Sequence, residues 1–309
     1  MKRLLAAILA VLLLCGCTAS QINGIIQWGE GGGTDTLMRP LCSLTEPYLN
    51  RTILPRNMTG GTGTVATQYV FDRSADGTTL LLGAENPAMY DALGLSDLTY
   101  RDFDCVLLVG CETVGITVAA DSPYTDLASL IDAAKANPNG IRLATTAKGG
   151  LPWTVARFLQ AVTGATFNEI PYDSDATART AVLNGECEVT VMKLQSGADA
   201  CREGKLRWLC MFSEKPVDAF PDVPPITDYD PAFSEYLPWG PFYGVFVKKG
   251  TDGNTLKVLS DAFIKGFSDA SYQQLLTDLY VEPLGLCGDE ANTWIEAWRT
   301  ASLKALNIE

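Results

Sequence analysis

The sequence predicts an α/β protein of two lobes, each built on a doubly wound sheet, joined by crossover strands with a ligand cleft between them. Three observations carry this expectation. Apolar strand-like runs alternate with helical stretches, the pattern of parallel sheets covered by helices. Glycine-rich loops follow strands and open helices, and ligands bind there, at strand carboxyl ends against helix N-termini. Two such loops, Gly31-Gly32-Gly33 and Gly149-Gly150, stand 116 residues apart by number (Gly33 to Gly149), so the unit is repeated and the two copies can face each other.

Taken in order, residues 24–28 form a β-rich run that enters the loop Glu30-Gly31-Gly32-Gly33. Residues 34–49 follow with Leu37, Leu41, Leu44 and Tyr48 at helical spacing. An extended stretch at 52–55 leads to Gly60-Gly61-Thr62-Gly63, which opens a second helix with Val65, Tyr69 and Val70. Asp76-Gly77 marks a turn before a buried strand at 79–83, and 103–109 and 114–119 read as two more strands. The rhythm restarts near Pro123: a helix at 127–137 stopped by Asn137-Pro138-Asn139-Gly140, a strand at 141–145, the loop Ala147-Lys148-Gly149-Gly150, and a helix at 153–163 with Gly164 as its C-cap. Strands at 168–171, 188–192 and 206–212, a helix at 176–184, a proline-rich loop at 216–231 and a strand at 243–248 follow, and the tail from 256 to 306 reads as mostly helical.

Composition narrows function. The 309 residues hold 23 Lys and Arg against 36 Asp and Glu, a net charge of −13, which argues against nucleic acid and against broad adhesion to anionic lipid. There is no histidine, which removes the commonest general base near neutral pH and the commonest imidazole metal ligand. No Gly-x-Ser-x-Gly elbow or P-loop is present. Lys2 and Arg3 precede an apolar run that is too short to span a membrane comfortably and ends in Leu14-Cys15-Gly16-Cys17. This reads as a secretory signal (residues 1–16) whose end resembles a bacterial lipobox, so Cys17 is the expected lipidation site, residues 17–23 the expected tether, and the protein is expected to be extracytoplasmic and lipid-anchored to the bacterial cell membrane. Seven further cysteines show no C-x-x-C spacing, and an odd number cannot all pair within one chain.

A set of collinear motifs then gives the chain a specific likeness. They are Trp28, Gly31-Gly32, Asp35 and Met38-Arg39; Asn57, Gly60 and Gly63; Asp76-Gly77-Thr78-Thr79-Leu80-Leu81; Ala136-Asn137-Pro138; Pro171-Tyr172; Leu183-Asn184-Gly185-Glu186-Cys187-Glu188; Gly204-Lys205-Leu206-Arg207; and Phe220-Pro221-Asp222-Val223-Pro224. In order and spacing, over about residues 24–300, the chain resembles the tripartite tricarboxylate transporter receptors, the Bug family of solute-binding proteins. The resemblance implies a periplasmic-binding-protein-like fold, with lobe one formed by 24–118 plus 244–309 and lobe two by 119–243. It implies capture of a small carboxylate, a di- or tricarboxylate or related organic acid, for membrane permease subunits, with no cofactor, metal or catalytic residue. An exported hydrolase or transferase on the same scaffold, or a receptor for a signalling partner, stand as alternatives.

The candidate ligand-binding residues are Trp28, Gly31, Gly32, Gly33, Thr34 and Asp35 in the first loop, Ala147, Lys148, Gly149, Gly150 and Trp153 in the second, and Tyr172, Met192 and Lys193. Glycines let the backbone approach a ligand, and amides at a helix N-terminus supply donors to a carboxylate. Asp35 has two readings: it stabilises the positive helix end and its loop, or it accepts directly from a ligand. Trp28 and Trp153 wall the pocket or pack in the core. The chain departs from the family pattern at Gly29-Glu30, where a proline is usual, at Trp153, where a histidine is usual, and at Met192, where an acid is common. Lys148 and Lys193, if they point inward, bring positive charge to a carboxylate.

Overall fold

Two sheets form, their central strands buried at nearly every residue and their edge strands partly exposed, and the crossing between those sheets positions the site. The computed structural model describes residues 21–146, 149–172, 175–237 and 239–306; the lipobox, Ala147, Lys148 and Pro238 lie outside them. In the first sheet β1 (Ile22–Ile26) pairs in parallel with β2 (Ile53–Asn57) and β3 (Thr79–Ala84). β3 is buried at all six residues, as a strand covered by helices on both faces should be. Beyond it lie β4 (Phe103–Glu112), β10 (Phe242–Lys248) and β11 (Val281–Leu286), in the order β11-β4-β10-β3-β1-β2. The second sheet contains β5 (Val114–Ala119), β6 (Arg142–Thr145), β7 (Asn168–Pro171), β8 (Val189–Lys193) and β9 (Leu206–Met211), in the order β7-β6-β8-β5-β9.

The chain passes between sheets twice, and each passing strand runs antiparallel to its neighbours: β10 to β3 and β4, β5 to β8 and β9. By its hydrogen bonds β5 belongs to the second sheet. The outbound change therefore falls at Thr113, whereas the sequence expectation carried lobe one to 118; β5 is as apolar as β4, so hydrophobicity alone could not separate them. The return falls just before Phe242. The two passages lie side by side, with the Glu112 amide donating to the Pro241 carbonyl at 2.8 Å. A Cβ on Gly240 would stand 2.0 Å from the Glu112 carbonyl oxygen, so only glycine fits this closely paired crossing.

The tail differs from the expected run of helices. Val281–Leu286 is a strand on the sheet edge, where Pro283 interrupts no internal ladder. A helix at Leu194–Arg202, which the sequence reading did not mark, follows β8. The last helix, Gly288–Leu306, packs on β4 of the first lobe and on the helix Leu151–Thr163 of the second. Its Trp298 donates to the Gly240 carbonyl at 2.8 Å and stacks on Trp239 with ring centres 6.1 Å apart, and Trp239 donates to Ser302 at 2.9 Å. Phe158 of the second lobe meets Trp239 edge-on at 4.9 Å, so one aromatic column continues through the crossing. The seven cysteines beyond Cys17 are free thiols, with Cys42, Cys105, Cys187 and Cys210 buried. Among the described residues no helix is long and apolar enough to cross a membrane.

Candidate ligand cleft

The first loop is held from within. β1 delivers Gln27, fully buried, whose amide nitrogen donates to Tyr90 Oη at 2.7 Å while its oxygen accepts from the Ala84 amide at 3.0 Å. Tyr90 in turn donates to the Thr62 carbonyl at 2.9 Å, so one glutamine ties the ends of β1 and β3 to the turn at 60–63. Gly63 has φ +87° and a Cβ there would fall 1.9 Å from the Gln27 amide nitrogen; glycine is required on both counts. Asp35, in the first turn of the helix Gly33–Leu49, is 7% exposed. Its carboxylate accepts from the Gly31 amide (3.0 Å), Asn57 Nδ2 (2.8 Å) and Arg39 Nε (2.7 Å). Burial works against this charge, but the three hydrogen bonds and the Arg39 guanidinium outweigh it and hold the carboxyl below the usual range. Of the two readings of Asp35, the geometry realises the loop-stabilising one. The Gly32 amide is also used, at 3.2 Å from the Gly29 carbonyl. Gly33 and Thr34 start the helix, where amides have no intrahelical acceptor.

At the lobe junction the helix start meets a polar cluster that the sequence did not reveal. Tyr243 of β10 donates to Glu112 Oε2 of β4 at 2.6 Å, and Lys193 of β8 lies 3.3 Å from both the same carboxylate oxygen and the Tyr243 hydroxyl. Glu112 is 1% exposed, and a Cβ on Gly33 would stand 2.7 Å from Tyr243 Oη, which places the cluster directly against the helix N-terminus. Burial alone would lower the Lys193 pKa. The Tyr243 oxygen and the carboxylates of Glu112, Glu85 and Asp175 more than offset it and keep the ammonium charged. Burial pushes the Tyr243 phenol up, so it stays neutral and acts as a donor. Lys193 thus lies at the junction with its charge engaged by Glu112. Burial also pushes the Glu85 carboxyl up, with Lys193 acting in the opposite sense.

The second loop reaches the first lobe directly. Gly149 has φ +82° and its absent Cβ would lie 2.5 Å from Leu93 Cδ1. Gly150 caps the helix Leu151–Thr163, its carbonyl accepting from the Thr154 amide and hydroxyl, each at 3.0 Å. Gly149, Trp153 and Thr154 then line a narrow cleft with Thr62, Glu85 and Asn86 of the first lobe, with an interior cavity of about 30 Å³. Trp153 is a wall of this cleft and carries the Arg157 guanidinium 5.1 Å from its ring centre. Three expected contacts have side chains placed elsewhere. Trp28 packs on the first-lobe core. Tyr172 packs on the second-lobe core, with Cys187 Sγ 3.5 Å from its hydroxyl. Met192, 1% exposed, packs in that same core beside Gly197. Met192 takes the apolar face of its strand, while Trp28 and Tyr172 follow strand ends and are half-buried.

Glu85, Glu112, Gln27 and Tyr243 escaped the sequence reading. Gln27 and Glu112 carried one usable signal, a polar residue closing an apolar strand, which is rarely buried without a specific partner. Among the described residues no group of three or more Cys, Asp or Glu is placed to hold a metal ion.

Comparison with known proteins agrees with this architecture. The profile of the tripartite tricarboxylate transporter family receptors (TctC) matches residues 39–300. Protein BugT of Bordetella pertussis is 26% identical over 300 residues, covering 93% of this chain and 90% of BugT. The crystal structure of a TctC solute-binding protein from Polaromonas superposes with a TM-score of 0.78 at 23% identity, covering 93% of this chain and 98% of that one. MatC from Rhodopseudomonas palustris, solved with bound malate, superposes with a TM-score of 0.72 at 21% identity, covering 94% and 98%.

Proposed function

Because the chain belongs to the tripartite tricarboxylate transporter receptor family, we propose that it captures a small carboxylate-bearing solute between its lobes and delivers it to the permease subunits of a tripartite tricarboxylate-type transporter. The family is one of extracytoplasmic solute-binding receptors, not of enzymes. The observation that carries the reading is a cleft walled by both lobes: Gly149, Trp153 and Thr154 of the second stand against Thr62, Glu85 and Leu93 of the first. The amides of Gly33 and Thr34 are the donors for the carboxylate, supported by the positive end of their helix. Malate in MatC is consistent with a ligand of this class. Lobe one runs from the start of β1 to Glu112 and from Phe242 onward, and lobe two lies between. Rotation at Thr113 and Gly240 opens the cleft, a hinge motion common among binding proteins. Cys17 carries the lipid that tethers the receptor to the membrane, a reading that rests on Leu14-Cys15-Gly16-Cys17.

A thermal-shift panel of mono-, di- and tricarboxylates and amino acids tests the binding reading, since a ligand that binds only the folded state raises its stability. A shift with at least one carboxylate-bearing compound supports it. No shift with any, at millimolar concentration, removes it.

A further inference from the structure

We infer that the last turns of the C-terminal helix, Gly288–Leu306, are a strap that holds the cleft shut, so that the second lobe must come away from this helix before a solute can enter. This rests on the hinge reading above and adds the element that sets its resting position.

The helix is fixed to lobe one along its middle. Arg299, a buried side chain, donates to both carboxylate oxygens of Asp91, each at 2.7 Å, and to the Ala88 carbonyl. Arg101 donates to Glu296 at 2.9 Å. Ala88 and Asp91 belong to the stretch that supplies Glu85, Asn86, Met89 and Leu93 to the cleft wall, so the helix and that wall are one body. Trp298, Ser302 and Leu306 follow at intervals of four, which puts them on one face. That face meets groups that move with lobe two. Trp298 stacks on Trp239, Ser302 accepts from Trp239 Nε1 at 2.9 Å, and Leu306 lines the cleft with Leu151 and Trp153. Trp239 precedes Gly240, where the chain turns back into lobe one, and its ring packs on Phe158 at 4.9 Å and Phe212 at 5.8 Å. Rotation at Gly240 therefore pulls Trp239 away from Trp298 and Ser302. Leu151 and Trp153 stand on the helix that Gly150 caps, so withdrawing Gly149 from Leu93 also withdraws this helix from Leu306. Opening the cleft thus separates an aromatic stack and a buried hydrogen bond that the closed arrangement keeps. The pair of Lys304 with Glu235 spans the same boundary but is exposed and contributes little beside them. The narrow cleft, with an interior cavity of about 30 Å³, accords with lobes drawn together by these contacts.

The test is small-angle scattering and hydrogen exchange of the full receptor with no ligand added, so it stands whatever the solute proves to be. Ser302→Ala leaves Trp239 Nε1 buried without an acceptor in the closed arrangement, whereas opening gives it water. The closed-to-open ratio should fall by about fivefold to a hundredfold. The radius of gyration should rise, and amides at 151–154 should exchange faster. Leu306→Ala, at the end of the helix, disturbs no hydrogen bond of the strap and should act in the same direction to a lesser degree. Thr300→Ala, exposed on the opposite side of the same helix, should match wild type. Leu93→Trp puts bulk between the lobes and checks the hinge itself: it should expand the receptor through the cleft, not through the strap. Expansion by Leu93→Trp with Ser302→Ala and Leu306→Ala at the wild-type radius would overturn the strap and leave the hinge. No expansion in any variant would remove both. Equal expansion in Thr300→Ala and Ser302→Ala would also overturn the inference, because the helix as a whole, not its contact face, would then be responsible.

Discussion

Gly33→Ala isolates the contact between the helix N-terminus and the junction cluster. Gly33 is helical and carries no positive φ, so its identity is not a matter of backbone strain. A new Cβ would stand 2.7 Å from Tyr243 Oη and 3.4 Å from Cζ, and Tyr243 cannot swing away without breaking its 2.6 Å bond to Glu112. Overpacking of this kind costs about 1–3 kcal/mol. In a chain of this size that is a fall of about 2–4 °C in melting temperature per kcal/mol. Tyr243→Phe removes the offending oxygen. In that background the remaining contact is at the tight edge of ordinary packing, and the Gly-to-Ala change regains up to about 1 kcal/mol of helix propensity. The cycle therefore predicts that Gly33→Ala destabilises the wild type yet is neutral or mildly stabilising in Tyr243→Phe, a coupling of about 1–3 kcal/mol. Urea denaturation of the four proteins measures it. An equal cost in both backgrounds would refute the claim that Gly33 is there to admit the Tyr243 hydroxyl.

Other substitutions follow the same logic. Lys193→Met leaves the buried Glu112 carboxylate without its ammonium and should destabilise by about 3–5 kcal/mol in chemical denaturation; adding Glu112→Gln should recover most of it. Asp35→Asn removes the anchor of the first loop and should cost about 1–3 kcal/mol by the same measurement, with weaker ligand binding besides. Acid should unfold the protein through carboxyls held low in the native state, Asp35, Asp91 beside Arg299, and Glu188 beside Arg142. Their contribution is complete above the unfolded carboxyl range and is lost as pH falls below about 4 through the depressed native values. Glu85, whose carboxyl burial pushes up, acts in the opposite sense, so stability should hold or rise slightly from neutral to about pH 5 and drop below it, and in Asp35→Asn the drop should be shallower.

Periodicity located most strands to within a residue or two because they are apolar and bounded by turns: β5 and β7 match their expected limits, and Gly164 caps its helix with φ +74° as expected. Val281–Leu286 was hidden because Pro283 and Gly285 read as breaks, although an edge strand tolerates both. The glycine turns were legible because they need special backbone. The side-chain cluster was not, since Glu112, Lys193 and Tyr243 meet only after the chain has crossed between sheets twice. Lys193 could be placed from its strand end, but its partner could not. Met192 shows the converse: its strand was placed to within a residue, while the choice of face depended on which sheet surface the helices cover.

Hydrogen exchange, with and without the tightest-binding compound of the carboxylate and amino-acid panel, tests the account most directly. Capture between the lobes predicts slowed exchange in two segments far apart in sequence, residues 27–36 at the first helix start and 145–154 at the second, together with the crossing at 112–114. Protection confined to one lobe, or to a surface away from both glycine turns, would contradict it.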